Sequence, residues 1–503
     1  MKKIFTFFSF IALAAISLTA QSRLVVAPGV GTLEDAIKND SANRPADRVY
    51  VLRRGAPYVL RGTIINTGYM LRLEAEAGTG ARPLIVYSAQ GGVTLNQLFE
   101  LRGNFSARNI AFTSRDLANG LVERLIAVSA DNVSMRLDSC FADDVAQSVI
   151  RVNNAGAKIY LTNSIFSRVG DPKNPDNGRI IDKRGPGLDT VIIHNSVLYN
   201  ITSRVIRDGG TANPSNHIVI DQNTIWGVGQ RCLSIGKAKD LVITNNIFQN
   251  CGILGTGKTA TSPTYILEPD TTFRGQNWTI RNNNFSSNPQ VIAALPVRSR
   301  GGLGDSLVSI TVYNTRSQPV ATNTFTEVIT FRNAPVLPDY FVTDNRSDTT
   351  TATTRNNARP WNHGGLTKDA IYSQLGTPPV DRFSTSHDFG YGSWRPAFKN
   401  GTTGQPLGAR MFAPTTSVNQ YFDASGVMTY PNPAHEVLYL AGLENAKVTK
   451  IEVINVAGQV VNMRNTEGVN FLELTTQNLH SGIYILKMTN AEGKISSRKF
   501  SKL

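Results

Sequence analysis

The chain has 503 residues, too many for one ordinary globular domain of roughly 100–200 residues unless a repeat architecture fills most of it. Hydrophobic residues make up 41 %, which excludes global disorder. Lys and Arg total 51 against 37 acids, a net charge of +14, and arginine supplies 34 of the bases. That balance suits a polyanionic partner, because guanidinium groups grip carboxylate, sulfate or phosphate bidentately.

In chain order, Lys2 and Lys3 precede an apolar stretch over residues 4–16, then Ser17-Leu18-Thr19-Ala20 before Gln21. A basic start, a short hydrophobic run and small residues read as a secretory signal peptide, residues 1–20. The run is short for a membrane span, and no later stretch approaches about 18 apolar residues, so no transmembrane segment is expected. No cysteine lies near the cleavage site, so a lipid anchor is not expected either. The mature chain reads as soluble after export.

Three cysteines, Cys140, Cys232 and Cys251, are too few for a disulfide framework. Cys140 and Cys232 sit in apolar strand-like runs, as buried thiols do. The six histidines are scattered without ligand-like spacing, so neither a zinc site nor a Ser/His/Asp triad is expected.

A short strand ending in Asn-x-x-aromatic, or a close variant, recurs through the first 285 residues. It begins at Asn109, Asp138, Asn163, Asn195, Asn223, Asn245 and Asn282, with Phe112, Phe141, Phe166, Leu198, Trp226, Phe248 and Phe285 in the fourth place. The intervals run from 22 to 37 residues. Alternating strands such as Val191-Ile192-Ile193-His194 lie ahead of most repeats. A short-strand repeat of this period without helical pattern predicts a parallel β-helix, one turn per repeat, stacked about 4.8 Å apart. At each bend an Asn side chain can bond backbone groups and its equivalents in neighbouring turns, and the fourth residue points into the core.

A second column follows the first. Arg124, Arg179, Arg204 and Arg231 each stand before an apolar pair, 14–19 residues ahead of the next ladder residue, with Ser148 filling the same register. Arg151 and Arg207 lie three residues into their strands, and Lys183 with Arg184 ends the Arg179 strand. In a solenoid these arginines form a stripe. Two readings stand: solvated strand ends paired with Asp182, Asp208 and Glu123, or a basic groove gripping an extended polyanion. Like charges repeated at coil spacing repel, so function is one reason to keep them.

Several segments carry a family likeness. Residues 31–37, Gly-Thr-Leu-Glu-Asp-Ala-Ile, read as a short capping helix. Val49-Tyr50-Val51-Leu52, Arg82-Pro83-Leu84-Ile85-Val86-Tyr87 and Phe99-Glu100-Leu101-Arg102-Gly103 follow. From about residue 24 to 285 the chain resembles the pectin-lyase-like superfamily of right-handed, single-stranded parallel β-helices, nearest to its chondroitinase B and alginate lyase group. The resemblance implies β-elimination on uronate-containing polysaccharide, with calcium held by Asn and Glu, a lysine base and a nearby arginine. Carried onto this chain, Lys183 and Arg207 are the candidate catalytic pair. Arg124, Arg179, Arg184, Arg204 and Arg231 are the candidate substrate-binding residues. A lysine crowded by arginines is suited to act as a base, although strand alternation can send Lys183 and Arg207 to different faces. No Asn/Glu/Glu calcium cluster is visible. The loop over residues 170–178, beside Asn153 and Asn154, reads either as a calcium-binding turn or as a turn-rich insertion.

Beyond residue 285 the ladder fades into short strands such as residues 309–313 and polar loops such as 343–357. Residues 387–391 and Gly404-Gln405-Pro406-Leu407-Gly408 resemble the closing strand of bacterial β-helix surface proteins. Trp361-Asn362-His363 offers an aromatic sugar platform. The last 80 residues alternate as a small antiparallel β-sandwich. Their Tyr430-Pro431-Asn432-Pro433, Ala457-Gly458-Gln459 and Gly482-Ile483-Tyr484 motifs resemble the C-terminal sorting domain of type IX secretion cargo in Bacteroidota. That resemblance implies passage through the type IX machinery and release or attachment at the outer cell surface.

The expected organisation is all-β: signal peptide 1–20, parallel β-helix with closing segment 21–410, linker 411–423 and sorting domain 424–503. Two functions remain open, a polysaccharide lyase or a non-catalytic protein that binds acidic glycan in the same groove. A nucleic-acid partner fits the charge but not the export route and is not expected.

Overall fold

A computed structural model describes residues 21–88, 95–116, 122–170, 177–185, 187–208, 213–235, 237–252, 266–267, 277–289, 322–335, 387–412, 424, 426–456, 458–491 and 495–503. The leader, the segments 309–313 and 343–357, and the Trp361 platform fall outside these residues. The chain divides into two compact units, one ending at Ala413 and the other beginning at Pro414.

The first unit is a parallel β-solenoid. Among the described residues, successive short strands join three sheets in rotation, giving two sheets of ten strands and one of seven. One coil shows the pattern: Lys158–Thr162 lies in the first sheet, Ile165–Val169 in the second and Arg179–Lys183 in the third. The next strand, Thr190–His194, returns to the first sheet and pairs in parallel with Lys158–Thr162. Side chains alternate across each strand, so aligned positions stack from coil to coil. Ile159, Val191, Ile218, Leu241 and Trp278 form one such inward stack, all buried. Helix Thr32–Asn39 covers the first coils through Leu33 and Ile37. Its N-cap, Gly31, has φ 71°, a left-handed conformation that glycine adopts without strain.

The bend between first and second sheets uses a left-handed residue in coil after coil: Asn109, Ser139, Asn163, Asn195, Gln222, Asn245 and Asn282, with φ between 48° and 60°. Asn tolerates this region because its short amide bonds locally. The repeat therefore exists, but two of its seven alignments shift by one residue. Ser139 rather than Asp138, and Gln222 rather than Asn223, hold the left-handed position. A one-residue slip reverses the face of every following side chain. The inward stack is consequently Phe112, Ala142, Phe166, Leu198, Ile225, Phe248 and Phe285. Phe141 and Trp226 pack instead on the outside of the second sheet.

Most of the buried ladder is carried by the residue after the bend. The amide of Ser164 donates to Ser196 Oγ (3.2 Å), that of Ser196 to Asn223 Oδ1 (2.9 Å), and that of Asn223 to Asn246 Oδ1 (2.9 Å). The Asn246 amide continues to Asn283 Oδ1 at 3.0 Å. Each Asn also donates through Nδ2 to a strand carbonyl, Ile193, Ile220 or Ile243, at 2.8 Å. A buried ladder of this kind leaves few polar groups unpaired while fixing register.

Residues 322–334 and 387–412 lie along the outer face of the second sheet. There Ile329, Phe331, Phe389, Tyr391 and Leu407 pack against Phe141, Tyr199, Trp226 and Ile247. Outward amides of the sheet hold this strap. Gln249 exchanges two hydrogen bonds with the backbone of Ile329 (2.9 Å each), and Asn284 does so with Glu327 (2.8 Å each). The Gly404–Gly408 stretch is part of the strap and not a closing strand. It runs across the sheet, where Gln222 Nε2 donates to the carbonyls of Pro406 and Gly408. Its residues are too rich in Gly and Pro for a ladder strand.

The second unit pairs two antiparallel sheets. The first holds Met428–Tyr430, Val437–Ala441 and Phe471–Thr475; the second holds Val448–Ile454, Val460–Asn465, Gly482–Asn490 and Ile495–Lys502. Leu438, Leu440 and Leu474 from one sheet meet Ile451, Val453, Leu486, Met488 and Phe500 from the other in a single core.

Candidate anion-binding face

The third sheet carries the arginine column. Its register aligns Gln97, Arg124, Ser148, Arg179 and Arg204 on consecutive strands. Arg231 follows in line with the Ile206–Leu233 pairing. Three residues further along each strand runs a second column: Glu100, Ala127, Arg151, Asp182, Arg207 and Ser234. The residue after each first-column position (Leu125, Val149, Ile180, Val205) and the residue before each second-column position (Ile126, Ile150, Ile181, Ile206) lie in the core, and Arg179 of the first column reaches Asp182 of the second at 3.6 Å. Both columns therefore lie on the outer face.

Asp182 is the centre of this face. Its side chain is fully buried, and four guanidinium groups surround it: Arg184 Nε at 2.9 Å, Arg207 Nε at 3.2 Å, Arg151 at 3.4 Å and Arg179 at 3.6 Å. Arg124 stands beside Arg151 and pairs with Glu123. Arg204 Nη1 donates to Ser203 Oγ at 3.2 Å and adds to the positive field on Arg179. One buried carboxylate thus serves four arginines, and positive charge remains in excess. Burial, more than any single neighbour, pulls the Arg179 guanidinium down to about 9; Asp182 opposes the shift, while Arg207, Arg184 and Arg204 reinforce it. Arg124 and Arg207 move the same way, again chiefly through burial.

Arg184 and Arg207 keep 38 % and 23 % of their side chains in solvent, so the edge of the cluster is reachable. Arg179 at 3 % and Arg151 at 16 % lie deeper. The chemistry on offer is bidentate recognition of an oxyanion on a rigid sheet, with no reorganisation of the backbone.

Lys183 and Arg207 do not meet. Lys183 aligns with Val128 and Val152, both core residues, and so points inward. Its ammonium is fully buried, ion-paired with Asp208 and donating to the Asn213 carbonyl at 3.1 Å. Arg207 aligns with Asp182 on the opposite face. One residue of offset separates them, and period-two alternation does the rest. Arg179, Arg184 and Arg207 converge on Asp182, Arg124 and Arg204 stand beside them in the outer column, and Arg231 extends that column at one end. Arg151 belongs to the group as well. Its signal was the offset of three residues that Arg151 shares with Asp182 and Arg207.

Among the described residues, no three His, Cys, Asp or Glu side chains converge to hold a metal ion. Residues 171–176 of the candidate calcium loop lie outside them. Cys140, Cys232 and Cys251 are free and buried, and burial pushes the Cys140 thiol up to about 12.

Residues 428–502 match the family described as the secretion system C-terminal sorting domain. No curated protein matches the chain. The sorting domain makes the chain cargo of type IX secretion, exported to the cell surface. No helix among the described residues is long and apolar enough to cross a membrane.

Proposed function

We propose that this exported solenoid binds acidic polysaccharide at the cell surface along the arginine face of its third sheet. The observation that carries the reading is the gathering of Arg151, Arg179, Arg184 and Arg207 around the buried carboxylate of Asp182, with Arg124 and Arg204 flanking them in the outer column. Like charges at coil spacing cost stability, and a polyanion laid across the coils offsets that cost by neutralising them. The likeness of the chain to pectin-lyase-like β-helices adds carbohydrate as the polymer class. Binding is favoured over β-elimination because Lys183, the candidate base, is sealed in the core against Asp208. A base must reach the proton that it removes.

The test is retention on immobilised alginate and chondroitin sulfate at low salt. Wild type is expected to be retained and to elute with rising salt, and the double variant Arg204→Ala/Arg231→Ala to elute clearly earlier. Equal retention of the two would remove the groove from consideration. The same glycans, incubated with calcium, would develop the ultraviolet absorbance of an unsaturated uronate if the lyase reading were correct.

A further inference from the structure

We infer that the gap at Ser148 is a subsite for one small oxyanion, sulfate or carboxylate; this deepens the polyanion reading of the arginine face and rests on it. Ser148 interrupts the outer column, with Arg124 on one neighbouring strand and Arg179 on the other. Parallel strands lie about 4.8 Å apart, so two long cationic side chains flank a position whose own side chain ends at a hydroxyl. A fifth arginine there would complete the column.

Three polar atoms around this gap have no hydrogen-bond partner among the described residues. Ser148 Oγ is buried without a hydrogen-bond partner. The Nε–H of Arg124 and that of Arg151 are buried in the same condition. Arg151 lies three residues along the strand from Ser148 and is the strongest charged neighbour of Arg124. All three groups are donors, and buried donors are rarely left unmade. An acceptor bearing negative charge would meet all of them. The opposing charges already present do not fill this role, because Asp182 is shared among four arginines and Glu123 sits at the half-exposed rim. A carboxylate or sulfate can accept the Nε–H of Arg124, that of Arg151 and the serine hydroxyl on separate lone pairs, while the Nη groups of Arg124 stay on Gln97 and Glu123.

The experiment uses the full chain with inorganic sulfate as probe, read as the shift in thermal midpoint against sodium chloride of equal ionic strength. Sulfate is expected to raise the wild-type midpoint beyond the chloride control. Ser148→Val, which removes the hydroxyl and fills the gap, is expected to abolish that difference. Ser148→Ala, a milder change that keeps the fold safe, is expected to weaken sulfate about tenfold, as does losing one charge-assisted hydrogen bond. An alginate oligosaccharide, bearing carboxylates alone, and a chondroitin sulfate oligosaccharide tell a free anion from one carried on a glycan. Loss of affinity for either oligosaccharide in Ser148→Ala supports the subsite on that source. A sulfate effect no larger than that of chloride, or one unchanged in both Ser148 variants, overturns it. If the subsite fails while Arg204→Ala/Arg231→Ala still loses glycan retention, the groove stands without it. If sulfate binds at Ser148 but the double variant is retained like wild type, the groove falls and the subsite remains.

Discussion

The second and third sheets of the solenoid share a backbone and a coil spacing, yet they treat their outer faces oppositely. The second is apolar outside, with Phe141, Tyr199 and Trp226 covered by the strap of residues 322–334 and 387–412. The third is cationic outside, its arginines crowded on Asp182 with their edges in solvent. A parallel coil offers each sheet one inward and one outward side chain at every second position, and the inward set is spent on the common core. What the outward set contains then decides whether a face recruits its own chain or stays ready for another molecule.

The largest effect is expected at the centre of the charged face. Asp182→Asn leaves four arginines without their shared counter-charge, and removing one partner of a buried ion pair costs about 3–5 kcal/mol. Urea unfolding of the variant should show a loss of that order, and an unchanged midpoint would mean that solvent already screens the cluster.

On the covered face, Phe389→Ala removes a buried ring that touches Tyr199 (5.3 Å between centroids) and Phe331 (5.2 Å). The loss is expected to be about 3 kcal/mol, the low end for a buried phenylalanine, because a strap can settle onto the space. Hydrogen exchange should place it in the strap, with the ladder amides of Asn223 and Asn246 still protected. Loss of ladder protection would make strap and coil one cooperative unit.

A smaller effect separates the faces by pH. His387 sits against Tyr199, and its imidazole is held below the usual histidine value by burial first and by Arg168 second, with Asp143 opposing. Its folded pKa is depressed, so the unfolded chain binds more protons and strap stability rises with pH. Acidification through the ordinary histidine value, about 6.5, should speed exchange in residues 387–391, and His387→Gln should flatten that dependence. The arginine face should not move in this window.

The least effect belongs to an exposed pair. Arg23 meets Glu74 at 3.0 Å with 46 % of its side chain in solvent. Arg23→Ala should change stability by less than about 1 kcal/mol. A larger loss would show that the solenoid depends on surface pairs as well as on its buried centre.

Some of this organisation was legible in advance. Short strands at intervals of 22 to 37 residues specify a stacked coil because nothing else buries them, and the repeated Asn marks the bend it prefers. The alignment failed at Asp138 and Asn223 for a plain reason. Polar residues occupy both neighbouring positions at these bends, Asp138-Ser139 and Gln222-Asn223, and only the backbone shows which is left-handed. Arg124, Arg179, Arg204 and Arg231 were visible as a column because each precedes an apolar pair. Lys183 was assigned to chemistry by proximity to Arg184 and Arg207, although an offset of one residue places it inside.

The sequence alone determined the all-β class, the coil period, the arginine column and the sorting domain, since each rests on local pattern or on motif. The tertiary structure decided that Asp182 is the shared centre, that Lys183 is sealed against Asp208, and that residues 387–412 cover the second sheet. Those outcomes depend on strand register between coils and on contacts spanning up to 215 residues, as between Arg410 and Asn195. Register is a property of neighbouring strands, and no single strand contains it.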